Sequence, residues 1–173
     1  WPPDEELLVG LIERYPDVKF IVAPHEIDPA RIEKFCERIS RPALRYTQLT
    51  PQSDLAAAGV LFVDTIGILS SVYRYGRWGY IGGGFGAGIH NTLEAATFGL
   101  PLAFGPRYGK FREARDLVTL RGAASIASAE ELERWFAGLH DDPDATGRSG
   151  TICKEYVLQH KGATARIMDE ICR

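Results

Sequence analysis

The stretch YIGGGFGAGIHNTLEAATFG, residues 80–99, decides how this chain is read. Five glycines lie between Gly82 and Gly88, and His90, Asn91 and Glu94 follow at the start of a helix expected over residues 89–98. Glycine loses more backbone entropy on folding than any other residue, so a cluster is favoured where the chain must reach positive φ or let a ligand touch main chain. The first-turn N–H groups of a helix have no internal partner and lie at the positive end of its dipole, which makes them an anion site. On this reading a phosphate sits beside residues 88–91 and Asn91 donates to one of its oxygens. Glu94, one turn beyond His90, shares its side of the helix. A carboxylate placed there suits a ribose diol. The same glycines also fit a purely structural turn, and both readings stand. The spacing is neither GxGxxG nor the GK[ST] of a phosphate loop, so neither NAD nor ATP is indicated.

Outward from this stretch, short apolar runs rich in β-branched and aromatic residues alternate with amphipathic segments. That is the pattern of an α/β fold, a Rossmann-like parallel sheet flanked by helices. PPDEELLVGLIERYP reads as a helix and VKFIVAP as a buried strand. Asp28 and Pro29 open a second helix as N-cap and first residue. ALRYTQL and VLFVD read as strands on either side of a short helix, PQSDLAAAG, and residues 67–75 as another helix. WGYIGG, PLAFG and GAASIA are further strands, with helices over residues 89–98, 110–120 and 128–139. Ser128, with Glu131 three residues on, forms a capping box. HDDPDATGRSG, residues 140–150, is the one linker-like segment and reads as a surface loop between helices, and the tail from Thr151 reads as a long helix.

The chain has 173 residues and reads as one domain, 1–173. Its formal net charge is −3, which leaves no overall basic field to hold nucleic acid, so any anionic ligand must be met locally. Cys36, Cys153 and Cys172 are odd in number, distant and without a CxxC pair. No disulfide framework or metal site is expected from them. No run approaches the roughly 18 apolar residues of a membrane span.

VLFVDTIGILSSVYRYGRWGYIGGGFGAGIHNTLEAATFGLPLAFGP resembles the C-terminal half of bacterial 3-deoxy-D-manno-octulosonic acid (Kdo) transferases, glycosyltransferases of the GT-B class. The resemblance is sharpest at Asp64, Thr65 and Gly67, at Gly82 and Gly83, at Gly88, His90, Asn91, Leu93 and Glu94, and at Gly105 and Pro106. It implies a donor domain for CMP-Kdo, with the turn from Gly82 to Asn91 at the donor phosphate and Glu94 at the ribose. Asp64, Thr65 and Gly67 would line the nucleotide pocket, and His25 would face the same crevice at the strand ends. It also implies a partner N-terminal domain, absent from this chain, that binds a lipid A precursor and carries the general base. No catalytic residue, cofactor or metal is therefore expected here, and the isolated domain is expected to be inactive. The full-length enzyme would contact the cytoplasmic face of the inner membrane. WPPDEE resembles the family's segment just after the interdomain connection, so we read the chain as a piece of a longer polypeptide. Two positions depart from the pattern: Pro24 stands where many relatives have Arg, and Lys110 where many have Asn.

Other readings remain beside this one. Another GT-B enzyme using a UDP-sugar shares the glycine turn and the ribose carboxylate, and a nucleotide-binding module without chemistry shares the fold. Asp64 also suits a cap for the helix near Gly67, and His90 a backbone cap within the turn. His140 and His160 read as surface residues. Tyr73, Tyr75, Trp78, Tyr80 and Phe85 read as core and rim.

Overall fold

The computed structural model describes residues 2–162 together with Met168 and Ile171. Among the described residues, six short strands form two three-stranded sheets, every pairing parallel. The first has the order β1-β3-β2, built from Phe20–Val22, Val60–Phe62 and Ala43–Arg45. The second runs β4-β5-β6, from Gly79–Ile81, Leu102–Phe104 and Ala123–Ser125. The expected parallel architecture is present, divided between two sheets.

Helix α1 (Pro2–Arg14) precedes β1, and α2 (Pro29–Cys36) joins β1 to β2. Asp28 caps α2 by accepting from the Ala30 N–H (2.9 Å), with Pro29 supplying the fixed φ of the first turn. After β3 come α3 (Leu69–Val72) and a 3-10 turn (Tyr73–Tyr75). Helix α4 (Leu93–Thr97) lies between β4 and β5, and α5 (Arg112–Leu120) between β5 and β6. The chain continues into α6 (Ala129–His140) and α7 (Pro143–Gln159). Ser128 accepts from the Glu131 N–H (3.3 Å), as the capping pattern requires.

Three apolar clusters hold these layers. Ile12, Ile32, Phe35, Val60 and Phe62 pack the first sheet under its helices. Leu102, Phe104, Leu117 and Cys153 pack one face of the second sheet, and Leu11, Ala103, Leu132 and Phe136 join α1 and α6 to the other. Phe62, Phe104 and Leu102 are fully buried, each contributing about 1.5–3 kcal/mol by leaving water.

Four segments differ from the sequence expectation. PQSDLAAAG forms turns, because the Ser53 hydroxyl accepts from the Thr50 N–H and Asp54 from the Ala57 N–H, and these bonds compete with a helical ladder. Residues 140–150 are not a loop. Asp142 caps α7 by accepting from the Ala145 N–H, Pro143 occupies the first turn, and the helix runs through the supposed linker. This is the same Asp-Pro start as in α2. The helix expected over residues 67–75 is four residues of α-helix followed by a 3-10 turn. The helix expected over residues 89–98 shrinks to the five residues of α4.

Of the tail, α7 accounts for the part up to Gln159, and most of the remainder lies outside the described residues. Cys36 and Cys153 are free thiols; Cys172 lies outside the described residues. Burial pushes the Cys153 thiol up to about 12, which keeps it protonated and unreactive. Among the described residues no helix is long and apolar enough to cross a membrane.

Candidate functional site

The segments leaving β1 and β4 converge. His25 lies three residues past Val22 and His90 nine past Ile81, and their imidazole rings meet at 4.7 Å between centroids, tilted by 33°. They stand at the rim of a cavity of about 790 Å³ whose wall also includes Gly82, Asn91 and Glu94. Five of the ten residues singled out in the sequence therefore share one concave surface at the carboxyl ends of parallel strands, where open α/β sheets gather ligands. Asp64, Thr65, Gly67, Gly83 and Gly88 stand outside that wall.

Much of the glycine turn's hydrogen bonding is directed at itself. The Gly83 carbonyl accepts from the N–H groups of Gly86 (2.9 Å) and Gly88 (3.2 Å), and the Gly82 carbonyl accepts from His90 (3.2 Å). Gly83 and Gly88 take φ of +91° and +132°, conformations that side chains disfavour. Gly84 has a different need. A Cβ there would lie 2.6 Å from the Gly105 Cα, so two main chains touch where β4 and β5 end. Arg107 braces the loop from outside, its Nη1 donating to the Gly86 carbonyl (2.7 Å) and its N–H to that of Gly84 (2.9 Å).

Asn91 and Glu94 form an exposed polar pair. The Asn91 amide donates to Glu94 Oε1 (2.9 Å), while its carbonyl oxygen accepts from the Leu93 N–H (3.0 Å) and so helps start α4. Glu94 faces solvent while its neighbours Ala95 and Ala96 are buried. His90 is also exposed at the rim, yet desolvation and the nearby His25 hold its pKa below the ordinary histidine value. Its neutral ring can both donate and accept.

Asp64 is anchored elsewhere. Its side chain is buried, with Thr47 donating through its N–H (2.9 Å) and hydroxyl (2.6 Å), and Arg45 Nε through a third bond (2.9 Å). Burial alone would raise this carboxyl, but the bonds from Thr47 and Arg45 outweigh it and hold it at about 2. Helix α3 near Gly67 has Ile68 at its N-cap position and no side-chain cap, so Asp64 fastens the end of β3 to the end of β2 and not to that helix. Thr65 is half-buried, and Gly67 has φ +91° in an exposed bend.

Two residues at the cavity escaped the sequence reading. Asp4, only 3% exposed, accepts from the Tyr80 hydroxyl (2.7 Å) and the Gly83 N–H (3.3 Å), tying the first turn of α1 to the glycine turn. In the sequence Asp4 looks like an ordinary first-turn acid. Arg31, in α2, pairs with Glu5 (2.7 Å) and Glu26 (3.4 Å) and brings a guanidinium to the cavity wall. His140 was expected on the surface. It is half-buried, meets Asp17 (3.0 Å) and Asp141 (2.8 Å), and stacks on Phe136; the bonds to Asp141 and Asp17 raise its pKa. Among the described residues no group of three or more His, Cys, Asp or Glu could hold a metal ion.

Parallel sheets flanked by helical layers define the class: a Rossmann-like α/β domain. No protein-family model matches the chain. It is 30% identical over 176 residues to the 3-deoxy-D-manno-octulosonic acid transferase of Rickettsia bellii, an alignment covering 98% of this chain and 41% of that protein. The same enzyme of Aquifex aeolicus is 29% identical over 110 residues (63% and 30%), and that of Chlamydophila psittaci 25% identical over 167 (95% and 38%). The chain thus spans less than half the length of these relatives. Among solved structures, the C-terminal CMP-Kdo binding domain of WaaA from Acinetobacter baumannii superimposes with a TM-score of 0.76 at 23% identity, over 90% of this chain and 81% of that one. Over nearly its whole length the chain is similar to 3-deoxy-D-manno-octulosonic acid transferases, and its fold is that of the C-terminal domain of WaaA.

Proposed function

We propose that this chain is the donor half of a Kdo transferase, holding CMP-Kdo at the rim formed by His25, Gly82, His90, Asn91 and Glu94. The observation that carries the reading is the convergence of His25 with His90 on one cavity wall, from two different strands, in a chain whose relatives are Kdo transferases. Glu94 accepts from the ribose hydroxyls, and Asn91, which already bonds Glu94, orients it. With only five residues, α4 offers little dipole for a phosphate, so side chains take up that role. Arg31 and Arg77 on the same wall supply positive charge for the phosphate and the Kdo carboxylate.

In the full-length enzyme the N-terminal domain presents a lipid A precursor and the general base, and the reaction takes place at the cytoplasmic face of the inner membrane in lipopolysaccharide synthesis. Asp64, Thr65, Gly67, Gly83 and Gly88 lie outside the cavity wall, as does Lys110, exposed before α5. The domain alone binds donor and transfers nothing.

Calorimetric titration with CMP, UMP, UDP and AMP tests the reading. Saturable binding that favours CMP, weakened by Glu94→Ala by about 1–3 kcal/mol, is the expected result. Preference for UDP overturns the donor assignment in favour of a UDP-sugar enzyme.

A further inference from the structure

The imidazoles of His25 and His90 come from loops that follow two different sheets, and both are exposed, yet they meet at 4.7 Å between centroids and 33° between planes. The backbone beneath His90 is fixed. Its N–H donates to the Gly82 carbonyl, and the buried Asp4 holds the N–H of Gly83, the next residue along. A ring pair this close carries one positive charge far more readily than two, because the second imidazolium would face the first. How many protons the pair holds therefore depends on the charge that lies beside it.

The charged groups around the pair come from three elements. Helix α1 brings Asp4 and Glu5, the β1 side brings Glu26, next to His25, and Arg31, and α4 brings Glu94. Arg31 is committed to Glu5 and Glu26, and Glu94 to the Asn91 amide. Around His90, desolvation, His25 and the amino-terminal charge oppose the cation while Asp4 favours it, and the net effect is against it. An anion arriving at the exposed faces of the rings turns that balance round.

We propose, resting on the donor reading above, that the His25–His90 pair takes up a proton as a phosphate monoester dianion forms beside it, so that the rim holds the leaving CMP against an imidazolium. The departure of CMP calls for such a group. The bond between the Kdo anomeric carbon and the phosphate oxygen breaks, its electron pair stays on that oxygen, and the phosphate passes from one negative charge in the diester to two in the monoester. The acceptor oxygen forms the new bond to the anomeric carbon, and its proton goes to the general base. The imidazolium keeps its own proton, which comes from solvent, and meets the added charge through a charge-assisted hydrogen bond. A contact that is stronger to the dianion than to the diester favours the transition state over the bound donor.

The test titrates this chain with CMP and with cytidine by calorimetry near pH 7, in two buffers of different ionisation enthalpy, and follows the His25 and His90 ring protons by NMR against pH. Near pH 7 free CMP is mostly dianion, since the second pKa of a phosphate monoester is about 6. We expect CMP to bring in about half a proton or more and to raise the apparent midpoint of the pair by about one unit or more, with CMP affinity falling by up to about tenfold per pH unit above that midpoint. Cytidine, which lacks the phosphate, brings in none. In the double variant His25→Gln, His90→Gln, whose amides cannot become cations, the uptake on CMP binding vanishes. Should that variant not fold, the ring midpoints of the parent chain decide alone. CMP that binds saturably without proton uptake and without moving either ring overturns the proposal and leaves the donor reading standing. Uptake that persists in the double variant, or that cytidine also causes, places the proton elsewhere and overturns it equally. If CMP does not bind even at millimolar concentration, the donor reading and this proposal fall together.

Discussion

The imidazoles of His25 and His90 lie 4.7 Å apart although 65 positions separate them in sequence, and each hangs from the segment that follows a different sheet edge. Two rings at that distance cannot both become cations without repulsion, which adds to the desolvation that holds His90 below the ordinary histidine value of 6.5. An NMR pH titration should find the His90 midpoint below 6.5, and His25→Ala should move it up. The sign for stability follows from the same depression. The unfolded His90 takes a proton more readily than the folded one, so its contribution is intact above pH 6.5 and is lost as pH falls through the folded pKa. A His90 midpoint that ignores His25→Ala would mean the two rings are not neighbours in solution.

Asp64 makes a prediction in the acid range. Its folded carboxyl sits at about 2 against 3.8 for the free group, and its side chain has no exposed surface. The depressed value means that its contribution is present above pH 3.8 and is lost as pH falls toward 2, amounting to about 2 kcal/mol. In Asp64→Asn the loss of the charged acceptor for Arg45 and Thr47 should cost about 1–3 kcal/mol at pH 7 by urea denaturation. That penalty should shrink as the medium approaches pH 2. A penalty unchanged between pH 7 and pH 3 contradicts the assignment.

How far the fold was legible follows from which signals are local. The strands and the caps at Asp28 and Ser128 could be read because each is written in a few adjacent residues. The start of α7 was written just as locally, in Asp142 and Pro143, but the run of polar residues and glycine after it masked the helix. For the candidate site the glycine turn was visible, while its internal hydrogen bonding was not, since Gly83 and Gly82 accept from N–H groups that the helix was expected to leave open. Asp4 and Arg31 stayed hidden because their partners, Tyr80 with Gly83 and Glu5, are fixed by packing between elements and not by spacing along one.

Among the glycines, Gly84 and Gly86 should part company on substitution. A Cβ on Gly84 meets the Gly105 main chain at 2.6 Å, and backbone cannot swing aside as a flexible side chain can. Gly84→Ala should therefore cost about 2 kcal/mol or more, the usual range for overpacking. Gly86→Ala meets only the Gly83 carbonyl at 3.6 Å, an ordinary contact, and should stay within about 0.5–1 kcal/mol of the parent. Thermal unfolding of both variants checks this, and equal losses would show that the close approach of β4 to β5 is absent.

The last prediction concerns the clasp between α1 and the glycine turn. Asp4 is buried and accepts from both the Tyr80 hydroxyl and the Gly83 N–H. Desolvation and the bond to Asp4 push the Tyr80 phenol well above its ordinary pKa, so it remains a donor at any ordinary pH. Removing either partner strands the other in a poorly solvated place. Tyr80→Phe should cost about 1 kcal/mol and Asp4→Ala about 2–3 kcal/mol, because the second change orphans two donors. Since the residues share one bond, the double variant should fall short of the summed losses by about 0.5–1.5 kcal/mol. Additivity in that cycle would mean the clasp is open in solution. The ligand provides an independent readout: Asp4 holds Gly83 next to Gly82 on the cavity wall, so Asp4→Ala should also weaken CMP binding, although Asp4 is assigned no contact with the nucleotide.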